Sequence, residues 1–435
     1  LSLKPMIALC FSRNKAVQAA DPVSVLRYLA VHGHGDIKRE ANDNLFFIEE
    51  HLKAVKAEYD EQHVLEQSVS TMVMIKDPEL AFAHMPDSAR KLFAKSKVTY
   101  EDVRDHKDLI CNVLLFLTGP RDWAKPLLQV HQFPNLTAKS ALPHIDFIQQ
   151  DPKKVFKNRV KIGSGAFAEV YTATSKATGY VALKIYTKSL TEAEKMIRKE
   201  VGLLQACKHD NVVRYRSCYL WNDMVWVVME YCNGGSLREL LNQVSLTEGQ
   251  ISYIAREVLQ GLHYLHTARR LVHRDLKSSN LLLFLDGRVQ IGDLGLCEEI
   301  RGGEIMPLSM AGSRCWMAPE VIQNRPYGFK ADTWSFGCVL LEMANVRPPY
   351  HEMASLKSMV MLATKGNPGF KDPKKWSSAF RDFVRQCFHK NQRTRAAVGD
   401  LLKHPFLDKA CQAEDLVESL RVAFIANTLM NSGLA

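Results

Sequence analysis

Apolar positions recur along the chain in two rhythms. Leu45, Ile48, Leu52, Val55 and Tyr59 repeat at spacings of three and four, which places them on one face of an amphipathic helix. A second helix is signalled by Thr99 with Asp102 three residues on, an N-capping arrangement. Val103, Ile110, Val113 and Leu117 then supply an apolar stripe, and Gly119-Pro120 stops the helix. Residues 1–36 show little periodicity and read as a lead-in. The first 118 residues are thus expected to be a small, mainly helical region. Pro120, Pro126, Pro134, Pro143 and Pro152 follow, five of the 17 prolines of the chain. That composition resists regular structure and predicts an extended linker over 119–154.

From residue 155 the rhythm shortens. The runs 159–174, 180–187 and 224–231 are strand-like, rich in β-branched and aromatic residues and joined by short turns. Past residue 236 the segments lengthen to helical size. A strand-rich part over 155–232 followed by a helix-rich part over 233–411 predicts an α+β fold of two unequal lobes. Residues 412–435 read as a C-terminal helical extension. No internal repeat of 20–50 residues is visible.

Composition narrows the class. With 435 residues, the chain exceeds what one hydrophobic core supports, so more than one domain is expected. Fractions of 46% hydrophobic and 24% charged exclude a disordered chain or a fibre. No apolar stretch approaches ~18 residues, so no membrane span is expected. Ten cysteines are scattered without a C-x-x-C pair and read as reduced intracellular thiols. The chain starts at Leu1, so the expectation is a cytoplasmic protein whose natural N-terminus lies upstream. Residues 1–150 carry 18 basic against 19 acidic side chains, and residues 151–435 carry 39 against 28. The second part is therefore basic, but it holds no aromatic-interleaved basic run, and no nucleic-acid partner is expected.

Chemistry concentrates in the second part. Gly163-Ser164-Gly165-Ala166-Phe167-Ala168 ends a strand, and glycines there let backbone amides close over phosphates. No G-x-x-x-x-G-K-[ST] sequence accompanies it, so a P-loop is not supported. Lys184, 21 residues beyond Gly163, can reach back beneath that loop, and Glu200 on the next helix can supply its counter-ion. The decisive segment is His273-Arg274-Asp275-Leu276-Lys277-Ser278-Ser279-Asn280, followed by Asp293-Leu294-Gly295 and then Ala318-Pro319-Glu320. In this order and spacing the motifs resemble those of the eukaryotic protein kinases across residues 155–411.

The resemblance implies a bilobal kinase fold and assigns roles. Asp275 would orient the substrate hydroxyl and accept its proton, and Lys277 would hold the migrating phosphoryl group. Lysine at that position resembles the serine/threonine class. Lys184, paired with Glu200, would hold the α- and β-phosphates of ATP. Asn280 and Asp293 are hard oxygen ligands suited to Mg2+. The purine pocket would be built from Ile162, Val170, Ala182 and Leu282, with Met229 guarding its rear. Glu230, Tyr231 and Cys232 would form the hinge. Ala168 stands where the phosphate loop usually has its third glycine, and Leu294 where Phe is commoner. Asp332 looks like the brace of the His-Arg-Asp backbone, and Arg395 like the partner of Glu320. Between Asp293 and Glu320 the hydroxyl residues are Ser309 and Ser313. Ser313 matches the position whose hydroxyl bonds the catalytic aspartate, which leaves Ser309 as the phosphorylation switch.

Within the kinases, Asp151-Pro152-Lys153-Lys154, the run from Trp226 to Leu237 and the run from Met310 to Val321 resemble the PAK group, which is controlled by Rho-family GTPases. Residues 75–118 resemble the PAK autoinhibitory segment and are expected to dock on the C-lobe. Ile75, Pro78, Phe82 and His84 match the front half of the Rho-GTPase-binding (CRIB) motif, and the back half is absent. The leading expectation is an ATP- and Mg2+-dependent serine/threonine kinase acting on protein substrates. The alternatives are a pseudokinase scaffold and a Rho-GTPase effector or adaptor, with a Rho-family GTPase as candidate partner.

Overall fold

The structure is a computed structural model and describes residues 93–118, 144–165, 167–301, 303, 305–306 and 308–431. The chain divides into two compact units, one of residues 1–94 with 118–120, the other of residues 95–117 with 121–435. The helix expected at Leu45–Tyr59 and the partial GTPase-binding motif at Ile75–His84 lie outside the described residues. Among those described, no helix is long and apolar enough to cross a membrane.

Helix α1 (Tyr100–Thr118) begins at the expected cap. Asp102 N donates to Thr99 Oγ1 at 3.2 Å, and Thr99 N donates to Asp102 Oδ2 at 2.8 Å. Val103, Ile110 and Val113 are buried as expected, whereas Leu117 is 39% exposed. Leu109, Cys111 and Leu114 are buried as well, and Leu117 stands in the last turn of the helix, which ends at Thr118. The second unit holds α1 against its own C-terminal half through Lys357 Nζ and Asp102 Oδ2, 2.6 Å apart.

The far end of the expected linker is not free. Ile145 is buried in the main core, and Ile148 bridges Tyr219 in parallel, its N–H donating to Cys218 O at 2.9 Å. Alternation of apolar residues over only four positions is too short to signal this single-residue bridge. Asp151 caps the short helix α2 (Pro152–Val155), and Phe156 beyond it packs edge-on to Tyr219.

Five antiparallel strands build the first lobe: β1 (Lys157–Ser164), β2 (Ala168–Ser175), β3 (Gly179–Tyr186), β4 (Tyr215–Trp221) and β5 (Met224–Glu230), in the order β1-β2-β3-β5-β4. Helix α3 (Leu190–Ala206) enters between β3 and β4 through a Ser189/Glu192 capping box and turns Ile197, Val201 and Leu204 inward.

The second lobe is helical around two long elements. After α4 (Leu237–Gln243), helix α5 (Glu248–Thr267) starts at a Thr247/Gln250 capping box. Short strands β6 (Leu271–Val272), β7 (Leu281–Leu283), β8 (Val289–Ile291), β9 (Glu298–Glu299) and β10 (Ile305–Met306) carry the loops between them. Strand β10 pairs with β11 (Tyr327–Gly328), which follows α6 (Pro319–Ile322). Helix α7 (Lys330–Asn345) is buried along most of its length and forms the axis of the lobe. Helix α8 (Ser355–Thr364) packs against α6, α9 (Ser378–Cys387) against α7 and α10 (Val398–Leu401) against α5. The expected C-terminal extension appears as α11 (Ala413–Asn431). It joins the core through Leu416, Leu420 and Ala423, and Gln250 Nε2 donates to Asp415 O at 2.8 Å. The two-lobed α+β expectation matches what is observed.

Candidate active site

Between the lobes, two polar networks meet. The first is centred on Lys184. Strand register sets it opposite Val170 on β2 and Val227 on β5, so its side chain leaves a well-packed strand. Its ammonium pairs with Glu200 on α3 and with Asp293 Oδ1 at 3.1 Å. Burial alone would lower the lysine pKa, but the two carboxylates outweigh it and raise the value. Burial would likewise raise the Asp293 carboxyl, and Lys184 holds it below its ordinary value instead. Asp293 sits in a left-handed conformation, and Leu294 beyond it is buried in the core. Gly295 follows because a Cβ there would lie 3.2 Å from Glu200 Oε2 and 3.3 Å from Asp293 Oδ1.

The second network lies on the loop after β6. Asp275 Oδ2 accepts from Lys277 Nζ at 2.8 Å and from Asn280 Nδ2 at 3.2 Å. Asn280 Nδ2 also donates to the Asp275 carbonyl at 2.8 Å, leaving its own side-chain oxygen for a cation. Asp275 Oδ1 is buried without a hydrogen-bond partner. A buried carboxylate oxygen left open is costly, and it suits a group that waits for an incoming hydroxyl. The networks are joined by Gly292 N, which donates to Asn280 O at 2.8 Å.

Beneath this loop Asp332 accepts three hydrogen bonds: from His273 N at 2.7 Å, His266 Nε2 at 2.8 Å and Arg274 N at 2.9 Å. Burial opposes its charge, yet these donors hold its pKa below the ordinary value. The brace expected of Asp332 is thus formed, and so is the Arg395–Glu320 pair, at 2.5 and 2.9 Å.

The residues of the expected purine pocket lie on β1, β2, β3, β5 and β7. Ala182 pairs with Met229 across β3 and β5, and Val170 and Leu282 are half-buried. Ile162 is 50% exposed. Burial pushes the Cys232 thiol, in the segment expected as the hinge, up to about 12, so it is neutral. Glu230 is flanked by Arg288 at 3.4 Å and Arg214 at 3.9 Å. In the glycine-rich turn, Gly165 N donates to Ala168 O at 2.8 Å, and Phe167 O accepts from Thr187 N. Gly163 and Ser164 end β1 beside that turn. The Ala168 side chain points into the main core and is 5% exposed, which explains why alanine serves where glycine is commoner. Ala166 lies outside the described residues.

The sequence matches the protein kinase domain family over residues 156–407. The chain belongs to the protein kinase family. Its relatives are serine/threonine kinases of the PAK/STE20 group. It is 36% identical over 351 residues to the serine/threonine-protein kinase pakC of Dictyostelium discoideum, covering 79% of this chain and 72% of that protein. It is 35% identical over 383 residues to the probable serine/threonine-protein kinase mkcB of the same organism, covering 86% of this chain and 51% of that protein. With the serine/threonine-protein kinase PAK 1 of Mus musculus it shares 39% identity over 274 residues, covering 63% and 50%. The chain thus spans about half the length of the last two.

In the kinase activation segment one expectation changes. Ser313 Oγ accepts from Lys277 Nζ at 2.8 Å, so its hydroxyl meets Asp275 through that ammonium and not directly. The lysine chain is long enough to insert between them. Gly312 before it has φ +118, and a Cβ there would come within 2.4 Å of Arg274 O, so only glycine fits. Ser309 is exposed, and its carbonyl accepts from Tyr327 Oη at 2.7 Å and Arg274 Nη1 at 3.5 Å.

The nine described cysteines are free thiols. Sequence reasoning missed Tyr327, Trp316 and Glu342. The last had a signal: a lone acidic residue in the apolar run from Cys338 to Met343.

Proposed function

We propose that this kinase transfers the γ-phosphoryl group of ATP to serine or threonine hydroxyls of protein substrates. The observation that carries the reading is the open, buried Asp275 Oδ1, set among Lys277, Asn280 and the Lys184–Glu200–Asp293 cluster. Asp275 Oδ1 holds the substrate hydroxyl and takes its proton. Lys277 stands beside it as a fixed positive charge, and Lys184 is held in place by Glu200. The donor set fits Mg2+, since the Asn280 side-chain oxygen and the Asp293 carboxylate are hard ligands. When bound, the cation neutralises phosphate charge. These groups would be idle in a scaffold. Incubation of the full chain with Mg-ATP and a generic serine/threonine substrate tests the reading, and absence of transfer overturns it.

Phosphorylation of Ser309 is the proposed activating switch. A phosphate there carries about −1.5 to −2 charge beside the Arg274 guanidinium and can fix the segment. Ser309→Ala forfeits a charge-assisted contact worth ~1.5–3 kcal/mol, so activity is expected to fall about tenfold or more with ATP affinity unchanged. Kinetics on enzyme checked by mass spectrometry decide it; active enzyme with unmodified Ser309 counts against it.

The N-terminal segment is proposed to restrain the kinase through α1. What supports this is the Asp102–Lys357 pair, whose side chains are about four-fifths buried. Lys357 and hydrogen bonding hold the Asp102 carboxyl below its ordinary value against burial. Asp102→Lys is expected to raise basal activity about fivefold, the worth of ~1 kcal/mol, and Lys357→Asp in the same chain to restore restraint. No change in basal rate for Asp102→Lys overturns this proposal. Val113 suits a charged probe because it is fully buried, and the exposed Leu117 does not. A truncated comparison protein has to begin before Ile145, since Ile145 and Ile148 belong to the first lobe.

A further inference from the structure

Glu342 stands on α7, the axis of the second lobe, and is 0% exposed. Val339, Leu340, Leu341 and Met343 around it are equally buried. A carboxylate in such surroundings is costly unless hydrogen bonds satisfy it. Three donors from three elements do so. Arg238 Nη1 on α4 lies 2.9 Å from Oε1, and Ser278 Oγ on the catalytic loop donates to the same oxygen at 2.7 Å. Trp316 Nε1 on the activation segment donates to Oε2 at 3.2 Å. Burial still leaves the carboxyl above its ordinary value, so the donors only partly offset the cost.

The two loop residues among these donors have matching places. Ser278 opens the 3-10 turn Ser278–Asn280, whose N-cap is Lys277. Trp316 closes the 3-10 turn Arg314–Trp316, whose N-cap is Ser313. On the cleft side the N-caps bond to each other, Lys277 Nζ to Ser313 Oγ at 2.8 Å. On the core side both turns hang on Glu342. Ser335, also on α7, adds Oγ to Trp316 O at 2.7 Å. The two turns form the sides of a frame, the Lys277–Ser313 bond closes one end, and Glu342 closes the other.

We propose that Glu342 is a positioning residue for phosphoryl transfer: it sets the spacing of the catalytic loop and the activation segment at which Lys277 reaches Asp275 and Ser313 together. This rests on the kinase reading above. Glutamate is required by the donor arrangement. Glutamine offers one acceptor oxygen; the charged Arg238 and Ser278 together claim it, so Trp316 would face its NH2 group, donor against donor.

The test compares Glu342→Gln, Trp316→Phe and Ser278→Ala in the full chain. Trp316→Phe keeps the ring packing and deletes only the Nε1–H. Each variant is expected to lower kcat by about 10–100-fold, the scale of a 1 Å misplacement. The KM for ATP should not change, because Lys184, Glu200 and Asp293 make no contact with Glu342 in the hydrogen-bond network described. Adding Trp316→Phe to Glu342→Gln should cost little more, since both remove the same arm. Wild-type kcat in Trp316→Phe and Ser278→Ala overturns the proposal. So does full additivity of the double variant, or a fall in kcat matched by an equal loss of folded protein. If Glu342→Gln does not fold, the other two variants decide the matter. Hydrogen exchange separates this proposal from the kinase reading. If the wild-type chain transfers no phosphoryl group, faster exchange at 277–280 and 313–317 in Trp316→Phe still supports the frame, and unchanged exchange overturns it.

Discussion

Asp275→Asn is expected to leave the fold and ATP binding intact and to lower phosphoryl transfer by about 10²–10⁴-fold, the usual worth of a positioned base. The substitution is nearly isosteric. Its side-chain oxygen can still accept from Lys277 and Asn280, now at 2.8 and 3.2 Å from Oδ2. The amide nitrogen would then occupy the place of Oδ1, the buried oxygen that has no partner. An NH2 group there donates, so it neither takes a proton nor holds a substrate hydroxyl by its hydrogen. Asp275 lies on the other network from Lys184, which is why ATP affinity should survive. Lys184→Met is the complementary control. It removes the cation shared by Glu200 and Asp293, leaves two carboxylates facing each other, and should weaken ATP binding as well as transfer. Titration of ATP binding beside single-turnover rates separates the two variants, and near-normal transfer in Asp275→Asn removes the base from the mechanism.

Much of this site was legible in the sequence because its residues are chemically specific and closely spaced. Asp275, Lys277 and Asn280 sit within six positions of one loop, and the structure joins them directly. Lys184 and Glu200 were linked beforehand by the lysine's need for a counter-ion, and only the likeness to kinases brought the distant Asp293 to the same site. The strand-rich and helix-rich halves followed from segment length. The cap at Thr99 followed because its signal is local. What could not be read depends on distant contacts. The bridge at Ile148 exists because β4 offers it a backbone edge, and nothing near residue 148 announces that. The insertion of Lys277 between Asp275 and Ser313 depends on how the activation segment lies. Leu117 followed the helical period and is nonetheless exposed, because it lies in the last turn of the helix, where periodicity does not say how far the packed face extends.

Arg395→Met is expected to destabilise the kinase domain by about 3–5 kcal/mol, because it strands a charge in the core. Arg395 is 1% exposed and Glu320 is 5% exposed. The guanidinium grips both carboxylate oxygens, at 2.5 and 2.9 Å, a bidentate arrangement that lysine could not reproduce. It also donates to Lys330 O at 2.8 Å and His389 O at 2.9 Å, and lies over the Trp334 ring. Methionine fills part of the volume but satisfies none of these acceptors. The cost should fall first on α6, which carries Glu320 directly after the activation segment. If the unpaired charge is the main penalty, Glu320→Gln in the same chain should recover part of the loss, since a neutral amide is cheaper to bury than a lone carboxylate. Urea unfolding of the wild type, the single and the double variant measures each step. A loss below about 1 kcal/mol for Arg395→Met would mean that water reaches Glu320 and the pair is not sealed. A double variant less stable than the single would show that the carbonyl contacts, and not the charge, dominate. The expected order, wild type above double above single, ties the stability of the domain to the same residue that anchors the end of the activation segment.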